Sequence, residues 1–201
     1  MCFSKEISLV TLILGLFTSY LCYSVNTPKY KIIGLFFAFV ILMQGIDYLL
    51  WTHQQCDNLN KNISTVGMLL NHLQPVVLFI LKNIYLKTSK FEVFVLVVYL
   101  LFIIPYSLQF IKDKKCTEKN KNNHLLWKWN GLNNAEITYI VFLFTLVILG
   151  TFNKSFSLII FLSFFTSYFI YNNETVVGNM WCFFAVFAPV FFYILAKTKV
   201  E

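Results

Sequence analysis

Long apolar stretches separated by short polar ones dominate the pattern of this 201-residue chain. A helix that crosses the hydrocarbon core of a bilayer needs roughly 20 mainly apolar residues, with about 17–25 as the usual range. The pattern therefore predicts an all-α, polytopic transmembrane helix bundle. Its seven spans are Ile7–Ser24, Ile32–Trp51, Val66–Leu86, Val93–Ile111, Ile137–Phe152, Ser155–Tyr171 and Met180–Ala196.

Composition supports this class, because hydrophobic residues make up 58% and charged residues 12% of the chain. Soluble domains have about 45–50% apolar and about 25% charged residues. No linker or internal repeat divides the sequence, so residues 1–201 are predicted to form a single domain. All 16 basic residues are lysine, a bias that indicates an A/T-rich genome such as that of a large DNA virus or a protist. Without arginine, the chain cannot build a bidentate clamp for phosphate or carboxylate.

The connections between spans alternate between two sides. Side B has the 25–31, 87–92 and 153–154 turns and the C-terminus, and side A has the N-terminus and the 52–65, 112–136 and 172–179 loops. Each side carries eight lysines, but those of side B lie in short turns and a short tail. The positive-inside rule counts basic residues in short loops. We therefore predict side B in the cytoplasm, with the N-terminus outside, the C-terminus inside and span 1 retained rather than cleaved as a signal peptide.

Two cysteines occupy different loops of side A. Cys56 and Cys116 could form a disulfide if this side faces an oxidising space, or they could remain two free thiols. Side A also contains two glycosylation sequons, which begin at Asn62 and Asn173.

Polar side chains within the spans are few, and most of them belong to spans 2 and 3. Gln44 and Asp47 lie on one face of span 2, while span 3 carries Asn71, His72 and Gln74. Because the two helices run antiparallel at similar depths, we predict that Asp47 faces His72 and that Gln44 faces Gln74. Such a cluster is either a site that handles protons or cations, or a hydrogen-bonded seam that fixes helix register.

Other residues of the spans have simpler predicted roles. Lys82 is expected to extend toward the lipid headgroups of side B. The tryptophans are expected to be interfacial anchors, at Trp51, Trp127, Trp129 and Trp181. We find no P-loop, nucleophile elbow, C-x-x-C or H-E-x-x-H motif, and no two histidines share i, i+4 spacing. The sequence therefore predicts no cofactor, no bound metal, no catalytic residue and no nucleic-acid partner.

One pattern extends from span 2 to span 3 and returns in span 7. It comprises Gln44, Asp47, Cys56, Asn60, Ser64, the run Asn71-His72-Leu73-Gln74-Pro75, and Trp181-Cys182. This pattern resembles an uncharacterised family of small polytopic membrane proteins of large DNA viruses, microbial eukaryotes and some bacteria. The match departs from the family before Gln44, where Met43 stands and the usual Glu is missing. The resemblance implies seven helices and a polar cluster of spans 2, 3 and 7 that includes Trp181, and it implies no activity.

Three functions fit these observations. The first is a small transporter or channel, with a path for a small solute or cation past Asp47, His72 and Gln74. The second is a receptor-like or scaffold protein that presents the 112–136 loop, stapled through Cys56 and Cys116. The third, an intramembrane hydrolase that uses His and Asp with a metal, has the least support. The lipid bilayer is the expected environment, whether plasma membrane, endomembrane or a viral or host membrane, and the sequence does not define an oligomeric state.

Overall fold

The computed structural model of the chain describes residues 4–171 and 176–198. Within these residues, seven helical segments are long and apolar enough to cross a membrane, as the sequence pattern predicted. Side chains that face away from the bundle are large and apolar, and Phe169 and Leu101 are 78% and 69% exposed. An apolar outer surface of this kind is the one that a lipid bilayer covers.

Eight α-helices account for these segments in the described ranges, because the last segment is divided. They are α1 (Lys5–Tyr23), α2 (Pro28–Thr52), α3 (Asn58–Tyr85), α4 (Lys90–Asp113), α5 (Ala135–Leu149), α6 (Lys154–Tyr171), α7 (Val177–Ala185) and α8 (Ala188–Thr198). A 3₁₀ turn at Gly150–Phe152 extends α5. Helix α2 lies at the centre and packs against α1, α3, α7 and α8.

The last span is broken, although the sequence predicted one helix from Met180 to Ala196. Helix α7 ends at Ala185 and α8 begins at Ala188. Pro189 has no N–H to donate to the carbonyl of Ala185, and its ring would clash with that carbonyl in a continuous helix. The break therefore falls one helical turn before the proline.

Helix α3 begins eight residues earlier than the predicted span, at Asn58 rather than Val66. Asp57 is its N-cap and accepts hydrogen bonds from the backbone N–H groups of Leu59 and Asn60, each at 3.0 Å. The first turns are polar, so a search for apolar stretches does not detect them. As a result the connection from α2 to α3 is only residues 53–57.

Helices α1 and α2 approach closely at Gly34. A Cβ atom at this position would lie 2.7 Å from the backbone oxygen of Ser19 and 2.7 Å from the backbone nitrogen of Tyr23. Only glycine fits without moving a backbone, and small residues at helix contacts are common in membrane bundles. The close contact holds α1 against the centre of the bundle.

The side B end is closed by short connections with local helix caps. Thr27 caps α2 ahead of Pro28, and Ser89 and Glu92 form a capping box at the start of α4. Lys82 is buried in an ion pair with Glu92 rather than extended to the headgroups. The predicted extension of Lys82 is therefore wrong, because a carboxylate one helix away supplies a nearer partner.

Residues 114–134, here called the plug, connect α4 to α5 on side A. They contain a two-residue antiparallel strand pair, β1 (Glu118–Lys119) with β2 (Leu125–Leu126), and a 3₁₀ turn at Lys128–Gly131. The plug does not extend away from the helices. It folds inward, and Leu125, Trp127, Trp129 and Leu132 join the core of the bundle.

Candidate functional site

The polar cluster of α2 lies directly beneath the plug. Asp47 is fully buried, and its Oδ1 atom accepts a hydrogen bond from the Trp127 indole Nε1 at 3.0 Å. Gln44, one turn deeper and also fully buried, accepts a hydrogen bond from the Thr11 hydroxyl of α1 at 2.9 Å. The acid of α2 therefore contributes to holding the plug, while the amide contributes to holding α1.

A chain of side-chain hydrogen bonds links α3 to the plug through α5. Gln74 donates to Asn71 Oδ1 at 3.3 Å, and Asn71 Nδ2 donates to the Tyr139 hydroxyl at 3.2 Å. The Tyr139 hydroxyl in turn donates to Asn130 of the plug. Gln74 and Asn71 are each 2% exposed, so this chain is shielded from solvent.

His72 points toward α4 rather than toward α2. Its Nδ1 atom lies 2.8 Å from the Ser107 hydroxyl, and its ring packs edge-on against Tyr106 and Tyr139. The Tyr99 hydroxyl donates to the backbone carbonyl of His72, three residues before Pro75. Within the residues that the structure describes, the Nε2 atom of His72 is buried and has no hydrogen-bond partner.

Of the two predicted pairs across α2 and α3, the contacts of His72 contradict the one with Asp47. An Asp47–His72 hydrogen bond is wrong, because His72 bonds Ser107 on its other side. Gln44 accepts a hydrogen bond from Thr11 and Gln74 donates one to Asn71, and the facing of Gln44 and Gln74 stays a prediction. Helix α3 is rotated so that its polar residues also meet α4 and α5, which a two-helix comparison of the sequence does not include.

The tryptophans of the plug are core residues, so their predicted role as interfacial anchors is wrong. Trp127 and Trp129 are 1% and 0% exposed, and their rings stack with centroids 4.8 Å apart. The Tyr106 hydroxyl of α4 donates to the Trp129 backbone carbonyl. Gly67 of α3 leaves space for the Trp129 ring, since a Cβ atom at this position would lie 3.2 Å from the ring. Nothing in the hydropathy pattern distinguishes such a buried tryptophan from an interfacial one.

Two attachments hold the first residues of the plug to α3. Of the two alternatives for Cys56 and Cys116, the structure has the disulfide, with Cα atoms 5.5 Å apart. Next to it, the Thr117 hydroxyl lies 2.9 Å from the Ser64 hydroxyl, and the Thr117 N–H donates to Asn60 Oδ1 at 3.0 Å. Asn60 Nδ2 in turn donates a hydrogen bond to the Thr117 carbonyl at 3.1 Å. Asn60, Ser64 and Thr117 are all fully buried.

The exposed connection before α3 carries one perturbed acid. The pKa of the Asp57 carboxyl is held below its usual range by the hydrogen bond from the Asn60 backbone N–H and then by the His53 side chain. The His53 Nε2 and Asp57 Oδ2 atoms are 2.9 Å apart. This group stabilises the helix start that positions Asn60.

Trp181 is buried in α7, at 5% exposure, and its indole Nε1 donates to the Ser163 hydroxyl of α6 at 2.8 Å. It lines a crevice among α2, α3 and α5–α8 with Gln74 and Cys182. The cavity volume is about 20 Å³, which is room for about one water molecule. Trp181 therefore packs helices together, and its predicted role as an interfacial anchor is wrong. Trp51 is half-buried on α2.

The remaining predicted sites are placed as follows. Asn62 is exposed on the first turns of α3, while Ser64 of its sequon is buried beneath the plug. Asn173 lies outside the described residues. Across residues 4–171 and 176–198, no three His, Cys, Asp or Glu side chains are grouped closely enough to hold a metal ion.

These features define a class of protein. The chain has the long apolar helices of a multi-pass membrane protein, with a buried polar cluster covered on side A by a stapled plug. No known protein family matches the chain, and no curated protein or solved structure matches it.

Proposed function

We propose that the chain is a membrane-embedded binding protein, receptor-like or a scaffold, whose working surface is the exposed face of the plug. The observation that carries this proposal is the hydrogen bond from Trp127 to Asp47. A buried acid in a membrane span is costly, so its use as an anchor for a connecting segment indicates that the position of this segment matters.

The other candidate residues support the same interpretation. Asn71 connects to Asn130 of the plug through Tyr139, and Asn60 and Ser64 hold Thr117. The crevice beside Gln74 and Trp181 has a cavity volume of about 20 Å³, too small for a solute larger than water. The polar cluster is thus better suited to fix the plug than to bind a transported solute.

Orientation is part of the proposal. Side A, with the plug, faces the outside or a lumen, and side B faces the cytoplasm. The dense lysines in the short turns of side B favour this arrangement. The disulfide favours it independently, because structural disulfides persist in oxidising compartments.

Asp47→Asn tests this function against transport. In reconstituted vesicles, we expect neither the parent protein nor the variant to conduct protons or potassium. Hydrogen exchange should be faster in the plug of the variant, because the amide is a weaker acceptor for the Trp127 indole. The matched control is Glu136→Gln, the same change at an exposed acid on α5, which should alter neither measurement. Flux that Asp47→Asn abolishes, with plug protection unchanged, would overturn the proposal.

A small transporter or channel is the second candidate, and His72 is the observation that favours it. Its buried Nε2 atom has no hydrogen-bond partner among the described residues, and such an atom can accept a proton or a ligand. The test is His72→Phe in a vesicle assay of proton flux, with His53→Phe as control. Flux that is lost only in His72→Phe supports transport, and equal flux in both variants removes it.

A further inference from the structure

A cleft opens on the surface of side A beside the disulfide, and residues of the plug form much of its lining. Its cavity volume is about 370 Å³. Segments from α3, the end of α4 and both halves of the plug line it. The lining residues are Cys56, Lys61, Asp113, Lys114, Lys115, Cys116, Glu118 and Lys128.

Charge in the cleft is unbalanced. Four lysines face two acids, which leaves a formal charge of two positive units. Lys128 lies 3.0 Å from Glu118, whereas Lys115 lies 4.0 Å from Asp113, at the limit of an ion pair. In the part of the chain that the structure describes, Lys61 and Lys114 have no carboxylate within 4.0 Å. Exposed ion pairs are weak, so the two engaged lysines can turn to a stronger anion at little cost.

The backbone segments that carry Lys61 and Lys114 are joined by the disulfide next to the cleft. Lys61 belongs to the first turns of α3, one residue after Asn60. Lys114 directly follows α4 and has a left-handed backbone (φ 43°), which turns the chain toward Cys116. The disulfide joins the two sides of the cleft. A site whose backbone is fixed before binding has a smaller entropy cost to overcome.

We propose that this cleft binds a small multivalent oxyanion, a phosphate group that is either free or part of a lipid headgroup. The inference rests on the proposed binding function of the plug. Lysine ammonium groups recognise phosphate as compact point charges, without the planar pairing that arginine gives to carboxylates. The cleft also lies where α3 begins and α4 ends, the level at which lipid headgroups are expected.

The test uses the purified full chain and inorganic pyrophosphate, with binding measured by calorimetry at low salt. Lys61→Ala and Lys114→Ala should each raise the dissociation constant about fivefold, the loss of one charge-assisted contact. Lys87→Ala and Lys90→Ala make the same charge change at exposed positions of side B and should raise it less than about twofold. Equal weakening by all four variants, or no binding at millimolar pyrophosphate, would overturn the proposal.

A second measurement distinguishes the two sources of phosphate. The chain is placed in nanodiscs of phosphatidylcholine alone or with phosphatidic acid, and pyrophosphate binding is repeated. Competition by phosphatidic acid that Lys61→Ala relieves assigns the site to a headgroup, and unchanged affinity assigns it to free phosphate.

Hydrogen exchange in the plug separates this inference from the proposed function. A protected plug that binds no pyrophosphate contradicts only the oxyanion site. If the backbone amides of the plug exchange freely in the parent protein, both the proposed function and the oxyanion site are contradicted.

Discussion

The two ends of the bundle are closed in different ways. Side B is closed by connections of a few residues, whose helix starts are capped by their own neighbours, as at Thr27 and Ser89. Side A is closed by the plug, whose contacts reach across the chain. Trp127 bonds a residue 80 positions away, and the disulfide spans 60 positions. The connections of side B thus fold together with their helices, whereas the plug of side A can unfold while the helices stay folded.

The variant with the largest expected effect on this difference is Trp127→Ala. Removing a buried tryptophan ring and its bond to Asp47 should lower the free energy of unfolding by about 4 kcal/mol. Thermal unfolding in detergent measures the loss, and hydrogen exchange should rise in residues 114–134 but not in residues 86–89. If both connections lose protection together, the two ends are not independent.

Lys82→Ala tests side B and should cost about 3 kcal/mol, because it leaves the Glu92 carboxylate buried without its ammonium partner. The double variant Lys82→Met with Glu92→Gln removes both charges and should recover at least half of the loss. The exposed neighbour Lys87 is the control, and Lys87→Ala should change stability by less than about 0.5 kcal/mol. A faster-exchanging plug in Lys82→Ala would show that the ends are coupled.

Thr117→Val sharpens the comparison within side A. The change keeps the shape of the side chain but removes its hydroxyl from Ser64, which should cost about 1–2 kcal/mol. Thr65→Val is the matched control, since the Thr65 hydroxyl bonds the carbonyl of Lys61 one turn earlier, within its own helix. Similar melting temperatures for the two variants would argue against a special role for Thr117.

The smallest expected effect is the pH dependence contributed by Asp57. Its pKa is lowered in the folded chain, first by the Asn60 backbone N–H. The stabilisation is therefore present above the unfolded pKa of about 3.9 and is lost as the pH falls through the lower folded pKa. We expect acid to lower the melting temperature of the parent protein more than that of Asp57→Asn. Identical acid sensitivity would contradict this assignment.

The sequence predicts best those features of the fold that depend on local contacts. Apolar length located each of the seven described helical segments that are long and apolar enough to cross a membrane, because the length of such a segment matches bilayer thickness. It placed the start of α3 eight residues late, since the polar turns after Asp57 carry no hydropathy signal. The apolar pattern also predicted one continuous helix where the chain breaks before Pro189, although a proline within a span disfavours a continuous helix.

For the candidate site, the sequence identified most of the buried polar residues but not their partners. Asp47, Asn71 and His72 are buried in the bundle, as intramembrane polar residues usually are. Their contacts go to Trp127, Tyr139 and Ser107, which lie on elements that a comparison of spans 2 and 3 leaves out. Helix rotation and the inward fold of the plug decide these partners, and neither is encoded in the spacing of two helices.

The disulfide also constrains how the protein can be made. If the apolar helices cross a bilayer, the two sulfurs meet only after α3 and α4 have each crossed it, because both cysteines must reach the same compartment before oxidation. Once closed, the covalent ring contains both helices as a hairpin. A chain that later loses its packing would keep those two crossings joined at their ends, and reassembly could begin from that hairpin.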